Sequence, residues 1–406
     1  MIRQVLLITL TILLTVSAGM AQDVSLRDDH PQQYVVVEGD TLWDISSRFL
    51  DEPWQWPAIW QANPQIENPH LIYPGDVVSL VYVDGRPVLQ VAREGVPAAP
   101  PGAAPRDTSG NQTVKLSPQI RRIDHSDPIN AVPLDAIKPF LRDIRVLSPS
   151  EFEGLPYVVA NEENRLNATH TDLTFARNLN ARVGDEFIVA RLVNIYDDLG
   201  EPPTTRRVNP KFHWKEVPNV HNRHESPWNT TPAWHKRPQN PVGYEVWEVS
   251  RVRMKQPGEI SVLEILRDRT EIKPGDFILS ADEYAFDSSF LPQTMENVPD
   301  DMVVLATTGA SYGVGHFQIV AISGGTRQGV KPGHVFSAYG PGEIVDDRSG
   351  YRWGSFAKES HVQLPSLYNG LIMVFRSFGD VSYAIVMDGP RLVQEFDELQ
   401  HPKNRG

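Results

Sequence analysis

A short turn pattern recurs along this chain and sets most of what it can fold into. It appears as Ile72-Tyr73-Pro74-Gly75-Asp76-Val77, Val183-Gly184-Asp185-Glu186-Phe187, Ile272-Lys273-Pro274-Gly275-Asp276-Phe277 and Val330-Lys331-Pro332-Gly333-His334-Val335. Pro presets φ at the second turn position and Gly supplies a positive φ at the third, as a type II turn demands. An apolar strand then follows each turn. The three later copies read as entries into separate small β units. Between and after them lie short runs rich in β-branched and aromatic residues: 186–192, 243–253, 277–281, 302–307, 316–322, 371–376 and 381–387. Each is bounded by Gly or Pro and reads as a strand. Helical periodicity is weak after residue 82, except over Leu134–Leu141. The expectation is a multidomain chain whose C-terminal region is mostly β, in small barrel-like or sandwich units over 116–300 and 301–400.

Residues 34–82 follow a different plan. Tyr34-Val35-Val36-Val37-Glu38 reads as a strand, and Gly39-Asp40-Thr41 as a turn in which Asp40 or Thr41 caps a helix. Leu42, Ile45 and Phe49 recur at helical spacing and face a core. Asp51-Glu52-Pro53 breaks that helix, and Pro57 suits the first position of a second. Ile59, Trp60 and Asn63 follow on its inner face, and Pro64 ends it. Asp76–Val81 is a second strand, able to pair antiparallel with the first. The expected α+β module is βααβ. In the link between the helices, Trp54 and Trp56 either pack or widen a ligand groove.

This stretch resembles the LysM family. The carrying residues are Tyr34 through Ile45, Trp60-Gln61-Ala62-Asn63-Pro64 and Ile72-Tyr73-Pro74-Gly75-Asp76-Val77. The resemblance implies a groove for N-acetylglucosamine units of peptidoglycan or chitin. Carried over, Gly39, Asp40, Thr41 and Leu42 form one wall, and Asn63, Pro64, Gln65 and Ile66 the other. An N-acetyl group is neutral, with one donor, one acceptor and one methyl. Main-chain groups in tight turns match the first two, and Leu42 and Ile66 are placed to receive the methyl.

The totals bound the alternatives. The net charge of −13 argues against a reader of nucleic-acid backbones, which needs a basic face. Peptidoglycan also carries acidic groups, so an acidic protein must recognise it by shape and hydrogen bonds. The N-terminus reads as a secretory signal: Arg3 gives a positive start, Val5–Val16 holds only Leu, Ile, Val and Thr, and Gly19 and Ala21 suit a cut after Ala21. Retention as an anchor is the alternative, but the apolar stretch is shorter than the ~20 residues a span needs. Processing over 1–21 removes Arg3 and takes −13 to −14. There is no cysteine, which in an exported protein leaves stability to packed cores and removes thiolate chemistry. Residues 92–115, rich in Ala, Pro and Gly, read as a semi-extended linker. Residues 201–241, with Trp214, Trp228, Trp234 and several His and Pro, read as a long insertion.

Three stretches of the chain partly match catalytic patterns. Gly309-Ala310-Ser311-Tyr312-Gly313 matches G-x-S-x-G, but a nucleophile elbow needs a helix after the serine, and a strand reads better there. His221 and His224, near His213 and His235, sit in a Pro-rich stretch without the helix or intervening Glu of a zinc protease. Glu359-Ser360 lacks the helical surroundings of a lytic transglycosylase motif. No catalytic residue, metal or cofactor is expected.

A second resemblance covers the β region. Tyr157-Val158-Val159-Ala160, Arg182 through Val189, Gly243-Tyr244-Glu245-Val246, Glu271 through Asp276, Gly329 through Phe336 and Val374 through Phe378 are similar to the C-terminal region of the type IV pilus secretin-associated (TsaP-type) LysM proteins. Part of the region is also similar to flagellar FlgT-type β domains. The resemblance implies a non-enzymatic periplasmic adaptor tying an outer-membrane secretin, or another envelope protein, to the wall. The alternative is a LysM-targeted peptidoglycan hydrolase.

Overall fold

The computed structural model describes residues 24–60, 72–92 except 84, 129, 144–169, 172–197, 241–281, 291–308, 313–342, 344–346 and 361–402, with Ala136, Ile137 and Phe140. The signal segment 1–21, the linker beyond Ala92, the insertion 201–240 and Asn63, Pro64, Gln65 and Ile66 lie outside the described residues. So do Ser311, the four histidines 213, 221, 224 and 235, and Glu359-Ser360. The chain divides into two compact units, through Val132 and from Pro133.

In the first unit, strand β1 (Gln33–Val35) pairs antiparallel with β2 (Val77–Val83), joining Gln33 to Ser79 and Val35 to Val77. Between them run helix α1 (Leu42–Phe49), a single tight helical turn (Pro53–Gln55) and helix α2 (Trp56–Trp60). Leu42, Ile45, Phe49, Trp56, Ile59, Trp60, Ile72 and Val78 close one core. Trp54 and Trp56 are buried, which resolves the link between the helices in favour of packing. The βααβ order is as expected. A third strand, β3 (Arg86–Ala92), lies beyond the expected boundary at residue 82 and pairs along all of β2, from Val77↔Ala92 to Val83↔Arg86. Ala92, expected to open the linker, is its last residue. Ile129 is also buried in this core, its N–H on the Ile72 carbonyl at 2.8 Å.

The second unit holds two closed antiparallel rings. Ring A uses β5 (Tyr157–Asn161), β6 (Leu173–Arg177), β7 (Glu186–Asp197), β8 (Pro241–Gln256), β9 (Ile260–Asp268) and β10 (Phe277–Ser280). The spatial order is β5-β6-β9-β8-β7-β10, and β10 returns to β5 through Phe277↔Tyr157. Strand β4 (Ile144–Leu147), next to helix α3 (Pro149–Phe152), adds to β8 from outside the ring. Ring B uses β11 (Val304–Thr307), β12 (Ile319–Ser323), β13 (Val335–Gly340), β16 (Leu367–Ser377), β17 (Val381–Asp388) and β18 (Glu398–Gln400). A short ribbon of β14 (Ile344–Asp346) and β15 (His361–Gln363) leaves it between β13 and β16. Its order is β11-β12-β17-β16-β13-β18, and Val303↔Glu398 closes it. Both interiors are apolar: Val158, Ala176, Val189, Val252, Leu263 and Ile278 in A; Val304, Val320, Phe336, Ile372, Ala384 and Leu399 in B.

The expected turns are present, with φ near +93 to +95° at Gly75, Gly184, Gly275 and Gly333. One expectation is corrected: the copies at Val183 and Ile272 do not open separate units, because both feed ring A. The structure also shows what the pattern is for. In seven turns the first residue's N–H donates to a side chain three residues on, at 2.7–3.3 Å. The acceptors are Asp76, Asp172, Asp185, Asp276, Gln318, His334 and Asp397. The acceptor's own N–H returns to the first residue's carbonyl at 3.0–3.2 Å. In each case a strand starts at the next residue: β2, β6, β7, β10, β12, β13 or β18. The residue before each turn is apolar and packs inward, fully buried at Ile72, Ala168, Ile272, Val314, Val330 and Val393.

In ring A one of these acceptors carries a second duty. Asp276 is gripped from β7 by Arg191, Nε to Oδ1 at 2.8 Å and Nη2 to Oδ2 at 2.9 Å, and Arg191 also donates to the Glu271 carbonyl at 2.7 Å. Both side chains are 4% exposed. A bidentate pair of this kind stands only while both partners remain, because either alone is a buried uncompensated charge. Arg191→Met should therefore cost about 3–5 kcal/mol. The check is a lower urea midpoint at unchanged slope; a midpoint within error of the parent's would show that the pair does not support ring A.

Candidate glycan-binding site

The wall of the expected groove that the structure describes is the passage from β1 into α1. Val37-Glu38-Gly39-Asp40 closes in the same manner as the turns above. Val37 N–H donates to Asp40 Oδ2 at 2.9 Å, Asp40 N–H to the Val37 carbonyl at 3.2 Å, and Gly39 takes φ +92°. Here the turn leads into a helix instead of a strand. Tyr34 Oη also donates to Asp40 Oδ2 at 2.9 Å, and the Arg48 guanidinium lies 4.5 Å over the Tyr34 ring. Partial burial, then the Asp40 carboxylate, pushes the Tyr34 phenol above its ordinary range, so Tyr34 stays a donor.

Thr41, not Asp40, is the cap. Its hydroxyl accepts from Asp44 N–H at 3.1 Å, and Asp44 Oδ2 accepts from Thr41 N–H at 3.1 Å, a reciprocal capping box. Leu42 is 1% exposed and packed with Ile45 and Phe49. Its side chain therefore belongs to the core and is not offered to an acetyl methyl. Helix geometry gives the N–H groups of Leu42 and Trp43 no intrahelical acceptor. The described wall is thus Gly39 at an exposed turn and a carboxylate already engaged by Tyr34 and Val37, with the helix start at Thr41, Leu42 and Trp43 buried behind them. The partner wall, Asn63 to Ile66, lies outside the described residues.

Sequence reasoning missed the hydrogen-bonding state of the aromatic core beside this wall. Trp43, Trp56 and Trp60 are buried, and among the described residues their indole N–H groups meet no partner, nor does the Gln55 side-chain oxygen. Trp54 differs, donating to Glu52 at 2.9 Å. Trp56 and Trp60 meet edge to face, centroids 6.5 Å apart. The one signal in the sequence is the crowding of four tryptophans into 43–60, a density that burial explains and hydrogen bonding does not.

In the ring region, Gly313 of the G-x-S-x-G string takes φ +148°, and a Cβ there would fall 2.8 Å from the Val393 carbonyl. Gly313 falls between β11 and β12, and Gly309, Ala310, Ser311 and Tyr312 lie outside the described residues.

These contacts separate stability from binding. Thr41→Ala should cost the module about 1 kcal/mol through the cap alone, read as lower protection of the α1 amides in hydrogen exchange. Unchanged protection would show that the box contributes nothing to the helix.

Comparison with known proteins bears on this first unit. Over 60 residues the chain is 33% identical to the uncharacterized protein YqbP of Bacillus subtilis (strain 168), an alignment covering 12% of this chain and 27% of that protein. The family model described as "LysM domain" matches residues 34–80, from β1 into β2 and so through the whole passage just described. Residues 34–80 of this chain are a LysM domain.

Proposed function

We propose that this chain is a non-enzymatic adaptor of the bacterial envelope, exported to the periplasm, that holds peptidoglycan through its LysM domain. N-acetylglucosamine units of the glycan are the ligand. The two β rings grip an envelope machine, which the resemblance of the β region makes an outer-membrane secretin of a type IV pilus. The observation that carries the wall-binding part is the LysM domain at 34–80. The geometry supports it through the type of group on offer: the main chain of the exposed turn at Glu38-Gly39 suits a neutral acetamido sugar. The chain's charge of −13 fits the same reading, since bulk attraction to an acidic wall is not available to it.

The test uses the mature chain and purified sacculi. Co-sedimentation with the murein is expected, with release by N-acetylglucosamine oligomers and little change between low and moderate salt. Protein left in the supernatant, or released by salt and not by the oligomers, would contradict glycan recognition. Cleared zones in a murein gel would replace the adaptor with a hydrolase, and failure to recover a secretin with the tagged chain from envelope extracts would remove the pilus assignment alone.

A further inference from the structure

The two rings agree beyond their strand order. Breaks in pairing register fall at corresponding points: Val158/Ala160 in β5 and Val304/Ala306 in β11; Val189/Ala190 in β7 and Ala338/Tyr339 in β13. Strand β8 breaks at Arg251/Val252 and Met254/Gln256, and β16 at Leu371/Ile372 and Val374/Arg376. The isolated bridge Ala168↔Ile272 in A has its counterpart in Val314↔Val393 in B. Two buried serines repeat as well, Ser261 donating to the Leu179 carbonyl and Ser382 to that of Gly324. A bulge inserts one residue at one place in one strand, so four shared bulges do not follow from turn chemistry. We infer that the C-terminal unit is a tandem duplication of one six-stranded ring, and that the β7–β8 extension of ring A, held in shape by Glu245, seats ring A on ring B so that the pair moves as one body.

The extension lies where the copies differ. In B the β13–β16 pairing ends at Gly340↔Leu367, the counterpart of Arg191↔Trp247 in A. In A the β7–β8 pairing continues to Asp197↔Pro241. That extension carries Tyr196 and Glu245 against ring B. Glu245 is 0% exposed, and accepts from Tyr196 Oη at 2.5 Å and Trp247 Nε1 at 2.9 Å. Tyr383 of β17 faces them, its phenol pushed well above its ordinary range by burial and then by the Glu245 carboxylate. A Cβ at Gly243 would stand 2.6 Å from Val146 and 3.2 Å from Val381, so the backbone itself meets β17 here. Phe140 packs edge-on to Phe375 and Tyr383, and its carbonyl accepts from Arg376 at 2.6 Å.

The surface of B that receives the extension is specialised for it. Val381, Tyr383 and Phe375 are fully buried, whereas their counterparts in A are Ile260, 43% exposed, the half-buried Val262 and the exposed Lys255. Ring A thus leaves Lys255 and Ile260 exposed and Val262 half-buried where ring B is covered. A carboxylate out of water is tolerated only while its acceptors are met. Tyr196 and Trp247 meet that need from within ring A and so fix the shape of the extension, and parting the rings would uncover Val381 and Tyr383 and break the close fit at Gly243, which favours a single relative orientation.

The full chain contains no cysteine, so two spin labels can be placed by Lys255→Cys on ring A and Leu392→Cys on ring B, both exposed. The inference expects one narrow distance distribution in the parent, widened severalfold by Glu245→Ala and equally by Gly243→Ala, a steric wedge of unrelated chemistry. A broad distribution in the parent would overturn it, as would both variants remaining as narrow as the parent. Loss of β structure in both variants would overturn it too, since a joint between two self-contained rings is not needed for either to fold.

Discussion

The interaction on which most of this molecule depends is a side-chain acceptor that closes a turn three residues after the N–H it satisfies. The same turn also stitches itself to a second strand. Gly75 N–H goes to the Val36 carbonyl while Val36 N–H goes to that of Asp76. The pairs Gly184–Asp185 with Met254, Gly275–Asp276 with Val158, Gly333–His334 with Val374, Phe317–Gln318 with Val386 and Phe396–Asp397 with Val304 repeat the arrangement. Each turn therefore starts one strand and fixes its register against another. A net value of about 0.5–1.5 kcal/mol per hydrogen bond is modest, but there are four such bonds per turn and they act on the topology, not only on the energy.

That device fixes strand register in a chain without cysteine. It appears in the LysM domain as well as in both rings, and at Val37–Asp40 it is turned toward a different end. There the closed turn hands the chain to a capped helix. The Asp40 carboxylate, engaged by Tyr34 and Val37, shapes this wall from behind. Recognition of a neutral sugar by a strongly acidic protein is consistent with that division, with charge held inside the scaffold and dipoles presented to the ligand.

Much of this was legible beforehand, for identifiable reasons. Helix α1 announced itself through Leu42, Ile45 and Phe49 and the Thr41–Asp44 spacing, and the tryptophans of the inter-helix link packed as their size favours. The turns with Pro-Gly or Gly-Asp were visible because glycine marks a positive φ. The turns at Phe317 and Phe396 were not, since phenylalanine takes φ of 61° and 71° there against its own preference, at a cost on the order of 1–3 kcal/mol that the surrounding bonds offset. Strand β3 escaped notice because Arg86 and Pro87 open it and it runs straight into an Ala/Pro-rich stretch. Ring closure and duplication were hidden for a deeper reason: they reside in register and bulges, which depend on pairing partners far apart in sequence. The glycan site was legible only as a resemblance, because its described wall is made of backbone.

The central claim is that the LysM passage meets its ligand through main-chain amides. An amide-detected NMR titration of the LysM domain within the mature chain, with N-acetylglucosamine oligomers, tests it most directly. Saturable shifts concentrated at Gly39, Asp40, Thr41, Leu42 and Trp43 are the outcome this account requires. Shifts confined to the ring strands, or none at oligomer concentrations that saturate other wall-binding modules, would contradict it.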